Sequence, residues 1–236
     1  PAPSALTAAA AQAPSRKETS EAPAAAIVAS EPARARIVAH AASATPDNAR
    51  TLQQAATALS QGRDSEAESL LRDVLARDPD AMRARQSLAA LYQRQGRLDA
   101  ALALWRAGLA RDAGNLELAE PLARTLLSHG QPADAAKALA AALPPLPQRS
   151  DLHALLAYAQ QQAGDTAAAA TTYRALLTHD DSQGRWWLGL AIAEETRGDT
   201  AAALAAFRRA QAAVGLESSV LRYVEQRIHA LAPDPS

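Results

Sequence analysis

The 236-residue chain contains no cysteine. This absence excludes disulfides, thiolate nucleophiles and thiolate metal sites together, but it does not fix the compartment, because a repeat protein can be stable without disulfides. Only 3% of the residues are aromatic and alanine is abundant, a composition that favours helices over strands. The 25 acidic residues balance the 24 basic ones, so no overall field attracts nucleic acid or anionic lipid.

Recognisable catalytic motifs are also missing. The sequence has no glycine-rich phosphate loop, nucleophile elbow or HExxH motif. Asp180 and Asp181 are interpreted as hydrogen-bonding loop residues rather than as a general acid or metal ligands. No two histidines have the spacing that places both on one helical face, so we interpret them as surface side chains: His40, His129, His153, His179 and His229. We therefore expect no enzymatic activity, no cofactor and no metal.

The chain does have a period of 34 residues. Five of its ten glycines recur at this interval: Gly62, Gly96, Gly130, Gly164 and Gly198. An alanine precedes each of them by seven residues: Ala55, Ala89, Ala123, Ala157 and Ala191. Another alanine follows each by five: Ala67, Ala101, Ala135, Ala169 and Ala203. A large residue follows each by nine: Leu71, Trp105, Leu139, Tyr173 and Phe207.

Each of these columns has a physical interpretation. Glycine suits the left-handed backbone just past a helix end, and the alanines mark where paired helices approach closely beside the large residue. A fixed period of this length is typical of stacked helical hairpins, because each hairpin can bury its apolar face only against its neighbours. The sequence therefore predicts an all-α repeat fold.

The period also predicts how the chain is organised. We expect a Pro/Ala-rich flexible linker over residues 1–47, although residues 33–44 could instead form a short helix that docks on the first repeat. Pro121 should kink or delay the first helix of repeat three, and Pro144 should end its second helix early. The predicted segments are repeats 48–81, 82–115, 116–149, 150–183 and 184–215, a capping helix 218–231 and a disordered tail 232–236.

Repeat two carries the fullest set of residues that define a known family: Leu88, Ala89, Tyr92, Gly96, Ala101 and Trp105. With Asp78 and Pro79 between the first two units, the chain resembles the tetratricopeptide repeat family over residues 48–231. This resemblance implies a right-handed α-solenoid of five helical hairpins plus the C-terminal capping helix. It also implies that the chain binds protein partners.

A closer resemblance rests on the last quarter of the chain. The run from Gly184 to Ala193 (GRWWLGLAIA) and the run from Tyr223 to Ile228 (YVEQRI) are similar to the MshN family, biogenesis proteins of the mannose-sensitive haemagglutinin (MSHA) type IV pilus. Members of that family have a cytoplasmic start, one membrane span, a Pro/Ala-rich linker and a periplasmic repeat domain. The resemblance implies pilus assembly components as partners and a periplasmic domain held by an inner-membrane anchor.

Some alternatives to a pilus factor remain open from the residues alone. The repeats could serve an outer-membrane pilotin or a cytoplasmic regulator, or they could be an accessory segment of an enzyme such as a glycosyltransferase. The most apolar short stretch, from Ala24 to Ala29, is too short to span a bilayer, so we expect this chain to be soluble as given. Because it begins with Pro1 rather than methionine, we expect a preceding segment that includes any anchor.

The family resemblance also implies a binding groove lined by the first helix of each hairpin, at its positions 2, 5, 9, 12 and 13. An ordinary solvated face without a ligand is the alternative. In this chain the groove positions include Arg83, Gln86, Gln93, Arg94, Glu117, Glu120, Arg124, Leu127, Asp151, Tyr158, Gln161, Gln162, Arg185, Leu188, Ile192 and Glu195. We expect Trp186 to pack on the preceding repeat and Trp187 within its own hairpin.

Overall fold

The structure, a computed structural model, describes residues 46–232. These residues form eleven α-helices and no strand, and the only bridge among them pairs Gln183 with Val214. The predicted all-α class is therefore confirmed. The helices are α1 (Pro46–Ser60), α2 (Asp64–Arg77), α3 (Met82–Arg94), α4 (Leu98–Leu109), α5 (Leu116–Ser128), α6 (Pro132–Ala142), α7 (Ser150–Gln162), α8 (Thr166–His179), α9 (Gly184–Thr196), α10 (Thr200–Ala212) and α11 (Ser218–Leu231).

The helix ends differ from the sequence expectations in two places. Helix α1 begins at Pro46, inside the stretch assigned to the linker, and proline suits the first turn because that turn needs no N–H. Helix α5 begins at Leu116 and continues through Pro121, so the proline does not delay its start. The expectations for residues 1–45 and for the tail beyond residue 232 lie outside the described residues.

The described residues divide into two compact units. The N-terminal unit, residues 46–113, contains α1 to α4, and the C-terminal unit, residues 114–232, contains α5 to α11. Within each unit every helix packs on the next one along the chain, and α7 also contacts α9. The sequence period runs across the boundary without a change, so the division was not predicted.

The columns of the period form the core of both units. All ten alanines of the two alanine columns have no exposed surface, and the five large residues beside them are at most 3% exposed. The turn glycines have φ between +70° and +84°, and a Cβ at any of them would meet no atom within 4 Å. Backbone conformation, rather than lack of space, therefore requires glycine at these turns.

A second feature that recurs with the period is a side-chain contact to the loop between hairpins. At position 4 of three first helices, a side-chain nitrogen contacts a backbone carbonyl oxygen of the loop that precedes the helix. The pairs are Arg85 to Pro79, His153 to Pro144 at 2.9 Å and Trp187 to Asp181 at 2.8 Å. Because these residues share one register position, the period could have identified them. They were not identified because arginine, histidine and tryptophan do not stand out as one residue type in the sequence.

The last helix packs on one side only. Helix α11 begins one repeat length after Gly184, and it buries Val220 and Val224 in the core of the C-terminal unit. Where the five hairpins have a buried alanine, α11 has the exposed Glu225. A carboxylate at this position would be costly to bury against another helix, so this side of α11 suits contact with water.

Candidate protein-binding face

The face proposed from sequence comprises the groove positions of the first helices, and it is called the binding face below. In the N-terminal unit it consists of four exposed polar side chains from α3: Arg83, Gln86, Gln93 and Arg94. The guanidinium of Arg94 lies 2.9 Å from a carboxylate oxygen of Asp64 in α2. This part of the binding face is therefore polar, and one of its two arginines already has a counter-charge.

In the C-terminal unit the binding face contains an ion-pair network between α5 and α7. Glu120 lies 3.2 Å from Arg124, one turn along the same helix, and 2.9 Å from Arg149. Arg149 also lies 3.1 Å from Asp151. Each of these four side chains is at least partly exposed, but each has a counter-charge from this chain.

Arg149 was missed by the sequence analysis, and its backbone is unusual. It precedes α7 in the left-handed region with φ of +49°, a conformation that is uncommon for residues with a Cβ. Its hydrogen bonds to Asp151 and then to Glu120 raise the pKa of the guanidinium. Burial raises the pKa of Asp151, but the hydrogen bond and charge of Arg149 outweigh it, so the net pKa lies below the usual value. Both groups therefore stay charged at neutral pH.

Three apolar side chains of the binding face are half-buried, one from each successive first helix: Leu127, Tyr158 and Ile192. Tyr158 and Ile192 occupy the same register position in α7 and α9, and these two helices are in contact. Ile192 packs against the core of the unit. The amides of Gln161 and Gln162 lie next to each other in α7, where the side-chain oxygen of Gln161 is buried without a hydrogen-bond partner.

Leu188 is a correction to the predicted set. It is 0% exposed and belongs to the core cluster of the C-terminal unit, so it cannot contact a partner in this structure. Position 5 lies at the border between the binding face and the core, and an aliphatic side chain there gains free energy by burial. The polar residue at the same position of α5, Glu120, stays partly exposed instead.

The remaining residues of the binding face are polar. Glu117 is exposed, and the half-buried Arg185 donates from Nε to the carbonyl oxygen of Gly215 at 3.2 Å. Glu195 forms an ion pair with Arg227 of α11. The capping helix thus supplies the counter-charge for the last carboxylate of the binding face.

The two adjacent tryptophans do not belong to the predicted binding face. Trp186 and Trp187 are both half-buried and pack against the core of the C-terminal unit. The indole N–H of Trp187 donates to the preceding loop, and Arg209 of α10 lies 5.7 Å from its ring centroid. These contacts give Trp187 a structural role within the unit.

Two pockets among the described residues lie away from the binding face. A pocket of about 410 Å³ in the N-terminal unit is lined by Arg50, Gln53, Gln54, Thr57, Arg63, Glu66 and Leu70. A pocket of about 220 Å³ in the C-terminal unit is lined by Asp181, Ser182, Trp187, Arg209, Ala212, Ala213 and Val214. Within residues 46–232, no group of three or more histidine, aspartate or glutamate side chains could hold a metal ion. The helices of this same range are all too short or too polar to cross a lipid bilayer.

Comparison with known proteins identifies the repeat. One family model of the tetratricopeptide repeat matches residues 58–107 and 92–158, and a second matches residues 154–216, so that together they span more than half of the chain. The chain belongs to the tetratricopeptide repeat family. No curated protein sequence matches this tetratricopeptide repeat protein.

Solved structures support the same fold for this tetratricopeptide repeat protein. A tetratricopeptide repeat protein from Parabacteroides merdae is 18% identical, with a TM-score of 0.61 over 79% of this chain and 73% of that one. YrrB, described as having an unusual peptide-binding site, is 15% identical, with a TM-score of 0.61 over 75% and 90%. MamA of strain AMB-1 is 20% identical, with a TM-score of 0.58 over 74% and 96%. At these identities the likeness concerns the fold alone.

Proposed function

We propose that this tetratricopeptide repeat protein is a non-enzymatic scaffold that binds a segment of a partner protein on the binding face of its C-terminal unit. The observation that carries the proposal is that each of three successive first helices has one half-buried apolar side chain on this face, Leu127, Tyr158 and Ile192, set among polar groups. Apolar anchors within a polar surround are typical of sites that hold a peptide or a helix.

The finer proposal concerns the partner. We propose that the protein takes part in assembly of a type IV pilus of the MSHA kind, and that it acts in the periplasm behind an inner-membrane anchor. The support is the likeness of residues 184–193 and 223–228 to the MshN family. Membrane contact would come only through that anchor, and pilus components would be the partners.

A pull-down tests both levels of the proposal. The variant Arg124→Ala/Tyr158→Ala should capture pilus components less well than the unchanged chain, because it removes a cation and an aromatic anchor from the binding face. The matched control is Thr171→Ala/Arg208→Ala, which removes two exposed side chains from the second helices α8 and α10. Circular dichroism checks that both variants keep their helices.

The possible results of the pull-down distinguish the proposed binding face from the proposed role in pilus assembly. Equal capture by both variants rejects the binding face. If the unchanged chain captures no pilus component but captures another protein that the Arg124→Ala/Tyr158→Ala variant loses, the pilus assignment fails and the scaffold function stands.

A further inference from the structure

Given the proposed function, we propose that the partner segment is an uncharged, apolar stretch of polypeptide, held by Leu127, Tyr158 and Ile192 in a way that depends little on ionic strength. The proposal follows from the charges of the binding face rather than from its shape. An acidic or a basic segment is the alternative.

The charged groups at the centre of this surface neutralise one another. Glu120 has Arg124 and Arg149 within salt-bridge distance, and Asp151 shares Arg149. Glu195 is paired with Arg227 of α11. These three carboxylates and three guanidinium groups carry no net charge, so the surface offers no field that would favour a charged ligand.

A charged ligand would also have to compete with the existing pairs. An incoming lysine could reach Glu120 only by displacing a guanidinium that the fold already holds in place, and an incoming aspartate would meet the same obstacle at Arg149. Exchanging one partly exposed ion pair for another gains little free energy, because water screens both. The remaining charged groups of this part of the binding face, Glu117 and Arg185, have opposite signs and add no net charge.

Apolar side chains, by contrast, have surface left to bury. Tyr158 and Ile192 repeat at the same register position in contacting helices, and Leu127 lies on α5 about one turn after Arg124, which occupies that register position there. Each is half-buried, so its rotation is already restricted while part of its surface still faces outward, and Ile192 also packs against the core. Burying that part against an apolar ligand releases water at little cost in side-chain entropy. Gln162 adds an exposed, uncharged amide that can bond to a peptide backbone.

Selection from a phage-displayed library of peptides of about 12 residues on the full chain tests the proposal. Peptides that also bind a Tyr158→Ser variant are removed by counter-selection. The enriched peptides are then synthesised with a fluorescent label, and their affinities are measured by anisotropy at about 50 mM and about 500 mM salt. If Tyr158→Ser does not fold, Ile192→Thr replaces it, since this change keeps the branched Cβ and removes apolar surface.

We expect enriched peptides without net charge that carry at least two large apolar residues. Their affinity should change by less than about twofold over the salt range, and should fall by about tenfold or more in the Tyr158→Ser variant. A control variant that removes an exposed ion pair of the second helix α6, Asp134→Asn/Lys137→Gln, should stay within about twofold of the unchanged chain, because neither residue belongs to the binding face.

Two contrary results of the peptide selection would reject different parts of the proposal. Enriched peptides that are charged, and whose affinity falls by about tenfold with salt, would overturn the apolar assignment and leave the binding function in place. Failure to enrich any peptide that depends on Tyr158 or Ile192 would reject the binding face itself, and the proposed function with it.

Discussion

Two helix interfaces of the molecule occupy the same place in the repeat but are built differently. The α2–α3 interface and the α8–α9 interface lie three repeats apart, and each has an arginine at the same position, Arg72 and Arg174. Opposite this arginine, the first interface has Tyr92, which is 3% exposed, and the second has Glu194, which is 1% exposed. The same geometry therefore accommodates either an aromatic ring or a carboxylate.

At the α2–α3 interface the charges remain at the edge. The hydroxyl of Tyr92 donates to Glu68 at 3.0 Å and accepts from Arg72 at 3.1 Å. Arg97 lies 4.2 Å from the centroid of the Tyr92 ring and pairs with Glu68 at 2.7 Å. The hydrogen bond from Arg97 is the main reason that the pKa of Glu68 lies below its usual value. The ring fills the core while the ions keep contact with water.

At the α8–α9 interface the charge itself is in the core. The carboxylate of Glu194 contacts Arg174 through one oxygen and Arg197, at 3.0 Å, through the other. Both guanidinium groups are partly exposed, whereas the carboxylate is not. A buried carboxylate is costly to leave without a counter-charge, whereas the neutral Tyr92 at the other interface carries no such cost.

The neighbouring core residues differ in a compensating way. Leu71 of the first interface corresponds to Tyr173 of the second, and Ser87 corresponds to Gly189. A Cβ on Gly189 would lie 2.3 Å from the Tyr173 ring, so the larger ring requires the smaller partner. The Tyr173 hydroxyl is buried without a hydrogen-bond partner, and burial raises the pKa of this phenol.

The largest expected difference concerns the buried carboxylate. Arg174→Ala/Arg197→Ala should destabilise the C-terminal unit by about 3–5 kcal/mol, because Glu194 is then buried without a counter-charge. The matched change Arg72→Ala/Arg97→Ala should cost far less, since Glu68 can be hydrated. Urea denaturation followed by circular dichroism measures both. Adding Glu194→Gln to the first variant should recover most of the loss, and equal losses at the two interfaces would remove the distinction between them.

The next largest effect concerns the Tyr173 ring. Gly189→Ala should cost about 1–3 kcal/mol, because the new methyl group collides with the ring and forces a shift of α8 against α9. Ser87→Ala at the other interface should have little effect, since Leu71 does not require a glycine there. Thermal melts of both variants give the comparison. The double variant Tyr173→Leu/Gly189→Ala should return towards the unchanged stability, and a further drop instead would show that the ring is not the cause.

The smallest expected change in stability comes from removing the hydroxyl of Tyr92 or of Tyr173. Tyr92→Phe should cost about 1 kcal/mol, because it removes the hydroxyl that bonds to Glu68 and Arg72. Tyr173→Phe should be neutral or stabilising, since its hydroxyl is buried without a partner. Urea denaturation under identical conditions compares the two variants. The opposite order would mean that the Tyr173 hydroxyl has a partner, such as a bound water, in solution.

Much of the fold followed from the sequence. The turn glycines and both alanine columns are where the period placed them, because a position in the repeat determines which side of a helix faces its neighbour. The binding face was less predictable. Register assigned Leu188 to it, but an apolar side chain at the border of the core is buried instead. Whether the other residues bind a partner stays a prediction.

The sequence by itself determined the hairpin length, the turn conformation and the core, since these depend on local periodicity and on side-chain size. Only the tertiary structure decided which charges meet. Arg149 reaches Glu120 across 29 residues of sequence, and Arg227 reaches Glu195 across 32. Ion pairing depends on the distance between atoms of different helices, and that distance is set by how the helices pack rather than by any spacing along one of them.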